Sequence, residues 1–410
     1  MNGFFERRST RRRRPGPVGT VLARAGAILF AGSLALLGAL PAAAQLSAPL
    51  PLDPNAIPGQ PGTLISSEPT DGAPDGAVAY RFLYRSTDSA GQPIAVSGLA
   101  VIPVGPGADR PIVAWDHPTS GIVERCAPSL ARKRYQFIPG LAAMIARGYV
   151  VVATDYPGLG SPGPHPYLVG TSEARATLDA VRAVRLLPDA RAGNRFVVWG
   201  HSQGGQAALF TGLDAASYAP DLKLLGVAAA APATDLAALL TADLDTPAGQ
   251  NLTAMTLWSW SRVFGAPADK VMDPAAAATV DRLAQECIES IYDLELRKLT
   301  TRPLRRHFLT DPNFAQHAPW AALMAANTPG VLPANIPVFV AQGTQDQIVR
   351  PEITRAYIAK LCKAGVAVEA DWVEGVGHGF VALKSAAATI AWIADRFAGA
   401  PAPSDCDTAT

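Results

Sequence analysis

The feature that most limits the fold is a repeated alternation of short apolar runs with amphipathic segments. The runs are Pro111–Trp115, Tyr149–Thr154, Arg195–Trp199, Lys223–Ala229, Ile336–Ala341 and Val366–Val373. The segments with helical patterning are Gly140–Arg147, Ser172–Leu187, Gln203–Ala215, Pro351–Ala364 and Ala382–Phe397. Continuous apolar strands that alternate with helices are typical of a parallel sheet covered on both faces. The sequence therefore predicts an α/β fold with a mainly parallel sheet flanked by helices.

Two regions depart from this alternation. Before it, residues 45–76 contain seven prolines and predict an extended arm, and the alternating segments Ala77–Ser86 and Pro93–Val104 predict a hairpin. Later, residues 237–333 have helical patterning without a strand, which is far more than one crossover needs. We expect a helical cap or lid there, inserted into a sheet domain formed by residues 77–236 and 334–410.

The N-terminus has the pattern of an export signal. Seven arginines and one acid give residues 1–44 a net charge of +6, and an apolar stretch, Ala25–Leu40, precedes the small residues Ala42–Ala44. We predict a signal peptide of residues 1–44, cleaved after Ala44, and a secreted or periplasmic protein. The alternative is a membrane anchor, for which the apolar stretch is short.

The rest of the chain carries the opposite charge. The whole chain has a net charge of +1, so residues 45–410 have −5. A surface of that sign does not favour nucleic acid, because phosphate binding needs a basic face.

The four cysteines fit an oxidising compartment. Cys126, Cys287, Cys362 and Cys406 are widely spaced, whereas zinc ligands usually come in close pairs. Two disulfides are the better interpretation, and the spacing alone leaves all three pairings open. No metal or organic cofactor is implied.

The chemistry centres on the string Gly200–Gly204, which reads Gly-His-Ser-Gln-Gly. An apolar run precedes it and a helical segment follows, as in the strained strand-to-helix turn that exposes a nucleophilic serine at the edge of an α/β sheet. Ser202 is therefore the candidate nucleophile, and a structural turn serine is the alternative. A serine hydroxyl needs a base to accept its proton.

His378 is the candidate base, because it follows the last apolar run and precedes the last helix. Asp346 follows the preceding run and would orient the imidazole, with Glu352 as the alternative acid. The other histidines fit different positions: His201 points away from the serine, His307 and His317 lie in the insertion, His165 lies in an exposed loop, and His117 follows a strand, where it could line the site.

Two backbone N–H groups are needed to stabilise the negative charge on the reacting carbonyl. Gln203, directly after the nucleophile, would supply one. The loop after the first parallel strand would supply the other from Thr119, because Pro118 has no N–H. Asp155 ends a strand near this edge; we expect a turn-forming aspartate, although it could also shape the pocket.

At this point the chain resembles the α/β-hydrolase superfamily and, within it, secretory lipases of the lipase-A type. The resemblance rests on the Gly-His-Ser-Gln-Gly string, the Cys126–Ser129 string (Cys-Ala-Pro-Ser), the helical insertion and the order of Ser202, Asp346 and His378, and it runs from about Pro54 to the C-terminus. It implies a secreted hydrolase of carboxylic esters that holds acyl chains under the insertion. It also implies the disulfides Cys126–Cys287 and Cys362–Cys406. The His-Pro-Thr-Ser-Gly loop departs from the His-Gly common in this superfamily.

These features together predict a Ser-His-Asp hydrolase of lipids or other acyl esters that works through an acyl-enzyme. Its partner is the ester substrate, and transient contact with a lipid interface is compatible with it. The alternatives are a peptidase or acyltransferase with the same residues, and a non-catalytic binding protein. Apolar residues recur near helical spacing in the insertion and form either a lid wall or that region's own core: Leu252, Met255, Trp258, Trp260 and Phe264.

Overall fold

One nine-stranded sheet organises the part of the chain that the structure describes. The structure is a computed structural model that describes residues 48–50, 57, 59–242 and 244–407, without the side chain of Ile291. The predicted signal peptide and its cleavage site lie outside these residues. The strands are β1 Leu64–Pro69, β2 Ala77–Thr87, β3 Pro93–Pro103, β4 Arg110–Asp116, β5 Val150–Thr154, β6 Ala192–His201, β7 Lys223–Ala230, β8 Val338–Gly343 and β9 Val368–Val373.

The strand order is β1-β2-β3-β5-β4-β6-β7-β8-β9. The first four strands in this order, β1, β2, β3 and β5, form three antiparallel pairs. The remaining pairs, from β5 through β4, β6, β7 and β8 to β9, are all parallel. The predicted parallel strands and the hairpin are therefore confirmed. The carboxyl ends of β6, β8 and β9 meet at one edge of the sheet, where ligands bind in folds of this type.

Helices cover both faces of the sheet, as the apolar strands require. The helices of the described residues, including those of the insertion, are α1 Leu141–Ala146, α2 Gly170–Val184, α3 Gln203–Tyr218, α4 Leu236–Ala242, α5 Pro247–Val263, α6 Ala268–Val271, α7 Ala277–Ala284, α8 Ile291–Thr300, α9 Trp320–Ala326, α10 Pro351–Lys363, α11 Val381–Lys384 and α12 Ala386–Ala398. Leu178 of α2, Leu209 of α3 and Ile358 of α10 are buried on one face. Met144 of α1 and Ile393 of α12 are buried on the other, together with the core of the insertion.

The structure differs from the predicted elements in two places. Residues 64–69, inside the predicted arm, form the edge strand β1 and pair with β2. The predicted last helix is divided at Ser385 into α11 and α12. The Ser385 hydroxyl donates to the Val381 carbonyl, a side-chain contact that competes with regular helix formation.

Helices α4 to α9 lie between β7 and β8, in the region where the sequence predicts an insertion. Trp260 of α5 is fully buried, and its Nε1–H donates to the Tyr167 carbonyl at 2.8 Å. The neighbouring Ser259 hydroxyl donates to the His165 carbonyl at 2.6 Å. These two hydrogen bonds join α5 to the 165–167 loop.

Two disulfides are present: Cys126–Cys287 and Cys362–Cys406. They are the two pairs that the family resemblance implied. The first joins residues 161 positions apart and connects the insertion to the loop after β4. In the chain-entropy account, closing a loop of that length stabilises the fold by about 5 kcal/mol.

Candidate active site

Ser202 lies at the turn between β6 and α3. Its backbone has φ +58° and ψ −117°, a left-handed conformation that is costly for a residue with a side chain. Glycine is required two positions before and two positions after Ser202. A Cβ at Gly200 would overlap the carbonyl oxygen of Gly204, and a Cβ at Gly204 would overlap the carbonyl oxygen of Asp116. The tight packing holds the strained turn in place and directs the Ser202 hydroxyl away from the sheet edge.

His378 joins Ser202 to Asp346 in an unbroken chain of hydrogen bonds. Its Nε2 lies 2.8 Å from the Ser202 Oγ, and its Nδ1 lies 2.8 Å from the Asp346 Oδ2. The three residues come from the ends of different strands, β6, β8 and β9. A neutral imidazole with its proton on Nδ1 is thereby oriented to accept the serine proton at Nε2.

Asp346 is built to remain ionised. Its Oδ1 accepts from the N–H groups of Ile348 and Val349 at 2.8 and 2.9 Å, and its Oδ2 accepts from Gln342 Nε2 at 3.2 Å. Burial by itself would raise the pKa of Asp346, but the interactions with His378 and the two N–H groups outweigh it and lower the pKa. The alternative acid, Glu352, is an exposed residue in the first turn of α10.

His201 supports this arrangement from beside the nucleophile. Its ring is buried, and Nε2 lies 3.0 Å from the His378 carbonyl oxygen. Burial lowers the pKa of His201 to about 3, so its ring is neutral at ordinary pH. The contact fixes the backbone of His378.

The two predicted oxyanion donors lie at the same edge. Gln203 is the first residue of α3, so its backbone N–H has no acceptor within the helix. Thr119 lines the cavity beside Ser202, and its hydroxyl lies 3.0 Å from the Tyr167 hydroxyl. Both residues therefore lie close to Ser202, and their role as oxyanion donors stays a prediction.

The prediction that His165 is exposed is wrong. The ring is fully buried beneath the nucleophile turn, and Nδ1 lies 2.9 Å from the Pro157 carbonyl oxygen. Nδ1 therefore carries the proton, and Nε2 accepts from the Gln203 side chain at 2.9 Å. The same Gln203 Nε2 also donates to Glu173 Oε1 at 2.8 Å, so two buried side chains hold Gln203 in place.

Replacing His165 with Gln should flatten the pH dependence of stability. Burial lowers the pKa of His165 to about 3, against about 6.5 in an unfolded chain. On acidification the unfolded chain binds a proton that the folded protein does not, so His165 stabilises the fold above about pH 6.5 and this contribution is lost as the pH falls towards 3. Between about pH 6.5 and 5 the loss is about 2 kcal/mol.

Denaturant unfolding of the wild type and H165Q at these two pH values measures the difference. Ser259→Ala is the matched control, because it removes the hydroxyl that donates to the His165 carbonyl without removing a titrating group. It should lower the free energy of unfolding equally at both pH values. An H165Q protein with the wild-type pH slope would contradict the buried neutral imidazole.

The expectation that Asp155 forms a turn is also wrong. Its carboxylate is buried and accepts from the Ser129 N–H at 2.8 Å, the Ser129 hydroxyl at 2.5 Å and the Ser97 hydroxyl at 2.6 Å. Asp155 thus anchors the Cys-Ala-Pro-Ser string to β3, and Pro128 of that string lines the cavity beside Ser202. The one signal in the sequence was its position at the end of a strand near the active edge.

An apolar cavity of about 330 Å³ opens beside Ser202. His117 lines it, as its position after β4 suggested, together with Pro128 and Phe137. The insertion supplies Leu252, Ile288, Glu289, Ser290 and Leu294. Of the five apolar residues singled out in the insertion, only Leu252 lines the cavity, while Met255 and Trp260 belong to the core.

The cavity wall is fastened to the loop after β4. The Cys126–Cys287 disulfide lies next to Gly121, where a Cβ would overlap the Cys126 sulfur. One residue after Cys287, the Ile288 N–H donates to the Ser120 carbonyl at 2.7 Å. The insertion and the predicted oxyanion loop are therefore joined by a covalent bond and a backbone hydrogen bond.

In the described residues, no group of three or more His, Cys, Asp or Glu side chains is arranged to hold a metal ion. No helix in that part of the chain has both the length and the apolar character to cross a membrane.

The chain is similar to several known proteins. The family model described as secretory lipase matches residues 138–405. A protein named as a probable inactive lipase of Mycobacterium tuberculosis is 25% identical over 376 residues, covering 83% of this chain and 79% of that protein. Lipase 6 of Candida albicans is 24% identical over 391 residues, covering 86% and 81%.

The fold has a solved counterpart in Candida antarctica lipase A. The two structures superpose with a TM-score of 0.72 at 18% sequence identity, over 86% of this chain and 85% of the other. The mainly parallel sheet flanked by helices is thus the α/β-hydrolase fold. Since the family model covers well over half of the chain, this protein belongs to the secretory lipase family.

Proposed function

We propose that this protein hydrolyses carboxylic esters with Ser202 as nucleophile, His378 as general base and acid, and Asp346 as the group that orients His378. Membership of a lipase family supports ester hydrolysis at the level of reaction class. The observation that carries the catalytic assignment is the pair of 2.8 Å contacts that connect the three side chains beside an apolar cavity.

In the acylation step, the Ser202 oxygen attacks the ester carbonyl carbon while its proton moves to His378 Nε2. The C=O electron pair moves to oxygen, where the N–H groups of Gln203 and Thr119 would stabilise the charge. When the tetrahedral intermediate collapses, the bond to the alcohol breaks and His378 returns the proton to the leaving alcohol. An acyl-Ser202 ester remains.

In the deacylation step, water attacks the acyl-Ser202 carbonyl and gives its proton to His378. Collapse releases the carboxylic acid and restores the Ser202 hydroxyl with the proton from His378. Throughout, the ionised Asp346 keeps the imidazole proton on Nδ1 and stabilises the imidazolium form.

The cavity supports a substrate with an apolar acyl group. Its wall combines loops near the sheet edge with Leu252, Ile288 and Leu294 of the insertion. Apolar side chains favour burial of a hydrocarbon chain. We therefore assign residues 237–333 as a cap over the acyl site, and lipids or other acyl esters as the substrate class.

One relative is named as a probable inactive lipase, so the integrity of the catalytic residues matters here. All three positions carry the reactive residue types, and the imidazole lies within hydrogen-bond distance of both partners. This supports catalysis over a purely ligand-binding role.

Parallel assays would separate ester hydrolysis from its rivals. Purified protein should turn over p-nitrophenyl acyl esters much faster than the matching p-nitroanilides, and release free acid even when an alcohol acceptor is added. Faster amide cleavage would indicate a peptidase, and acyl transfer to the alcohol in place of hydrolysis would indicate an acyltransferase. Either outcome would overturn the proposal.

We also propose that residues 1–44 direct export. The secretory family and the arginine-rich, apolar N-terminus support this assignment. Mass spectrometry of protein recovered from the medium or periplasm should give Gln45 as the first residue. Protein that keeps residues 1–44 in the membrane fraction would favour the anchor instead.

A further inference from the structure

The outer side of α8 and the turn after it present large apolar residues to solvent. Tyr292, Leu296 and Leu299 are 77, 60 and 50% exposed. They are four and three residues apart and so lie on one face of the helix. Arg302 and Arg306, in the short 3-10 turn that follows α8, are also exposed. We call these five residues the α8 ridge.

The opposite side of the same segment is anchored to the protein. Arg297, Thr301 and Leu304 are buried, again at spacings of four and three residues. Arg297 donates to Asn251 Oδ1 at 3.0 Å and to the Leu283 carbonyl at 2.9 Å. The ridge is therefore the outer face of a firmly seated segment.

The segment is basic although the rest of the chain is not. Residues 292–306 contain five cations and two acids, Asp293 and Glu295, and so have a net charge of +3, whereas residues 45–410 together have −5. Lys298 is paired with Glu295 at 2.6 Å. Among the described residues, Arg302, Arg305 and Arg306 form no ion pair or side-chain hydrogen bond, so their charges face solvent.

We propose that the α8 ridge docks on an anionic phospholipid surface. Exposed leucines and a tyrosine insert favourably at the boundary between headgroups and acyl chains, and neighbouring arginines are attracted to anionic headgroups. Charge complementarity selects this occupant: a neutral apolar partner would leave the arginines uncompensated.

The position of the ridge connects it to the cavity. Ser290 and Leu294, at the start of α8, line the ester cavity, while the ridge occupies the outside of the same helix. Docking would thus hold the cavity mouth close to a surface that contains acyl esters. This link to substrate supply rests on the proposed function, whereas the docking itself does not.

Vesicle co-sedimentation of Ser202→Ala protein tests the docking without turnover. We expect binding to vesicles of phosphatidylcholine with phosphatidylglycerol, weaker binding to phosphatidylcholine alone, and weakening by added salt. The double variant R302Q/R306Q should lower the partition coefficient by about 10- to 30-fold. The double variant L296Q/L299Q should lower it by about tenfold or more.

The matched controls are Leu186→Gln and Lys223→Gln, an exposed leucine and an exposed lysine far along the chain from the ridge. They should bind as the parent does. Wild-type binding by both ridge variants, or equal binding to neutral and anionic vesicles, would overturn the proposal.

Ridge variants that retain Ser202 are assayed for hydrolysis of a soluble short-chain ester. This assay separates the membrane-docking proposal from the proposed ester hydrolysis. We expect unchanged turnover, because none of the four substituted residues lines the cavity. Turnover without vesicle binding would refute docking alone, and vesicle binding without turnover would refute the proposed function alone.

Discussion

Replacing Ser202 with Ala is expected to lower kcat for ester hydrolysis by about a million-fold, as loss of the nucleophile does in other serine hydrolases. The Oγ is the atom 2.8 Å from His378 Nε2, and it is the atom that would carry the acyl group in the proposed mechanism. The N–H groups of Gln203 and Thr119 remain, so a small residual rate above that of water is expected. Steady-state kinetics on a p-nitrophenyl ester measure the loss.

Ser120→Ala is the matched control, because Ser120 also lines the cavity but does not contact His378. It should retain activity within a few-fold. A fluorophosphonate probe should label the wild type and S120A but not S202A. Equal labelling of S202A would refute Ser202 as the nucleophile.

The second large effect is expected from Asp346→Asn, with a loss of about ten-thousand-fold in kcat near neutral pH. An amide can donate to His378 Nδ1, which would place the imidazole proton on Nε2 and leave it unable to accept the serine proton. The variant also loses the negative charge that stabilises the imidazolium. The Oδ1 interactions with Ile348 and Val349 can persist, so the fold should be retained.

Glu352→Gln provides the control, since Glu352 was the other acid compatible with the sequence. It is exposed on α10, and its loss should leave kcat unchanged. Circular dichroism and thermal unfolding of D346N show whether any loss comes from the site or from the fold. Nearly wild-type kinetics for a folded D346N protein would exclude Asp346 from the proposed role.

The parallel part of the sheet was predictable because β4 to β8 each contain a continuous apolar run, whereas the edge strand β9 (Val-Glu-Ala-Asp-Trp-Val) includes two acids. The hairpin was predictable from its alternation, and the proximity of Ser202 and His378 from their positions after a strand and before a helix. The edge strand β1 was not predictable, because half of the residues in its sequence, Leu-Ile-Ser-Ser-Glu-Pro, are polar. The strand also pairs with only one neighbour, β2.

The hydrogen bonds that His165 and Glu173 form with Gln203, next to the nucleophile, also could not be predicted from the sequence. His165, Glu173 and Gln203 are 8 to 38 positions apart, and only the folded chain brings their side chains together. His165 is in a proline-rich stretch that is typical of exposed loops, and its burial follows from contact with α5 of the insertion. Asp155 was misassigned for the same reason, because its partners Ser97 and Ser129 belong to distant segments.

The bond between Cys126 and Cys287 has a consequence for when the protein becomes competent. Ile288, Glu289 and Ser290 follow Cys287 directly and form one side of the cavity. In a newly made chain kept reduced, that side would be held by backbone and side-chain contacts alone. We therefore expect thiol oxidation to act as a maturation step that completes this wall of the cavity.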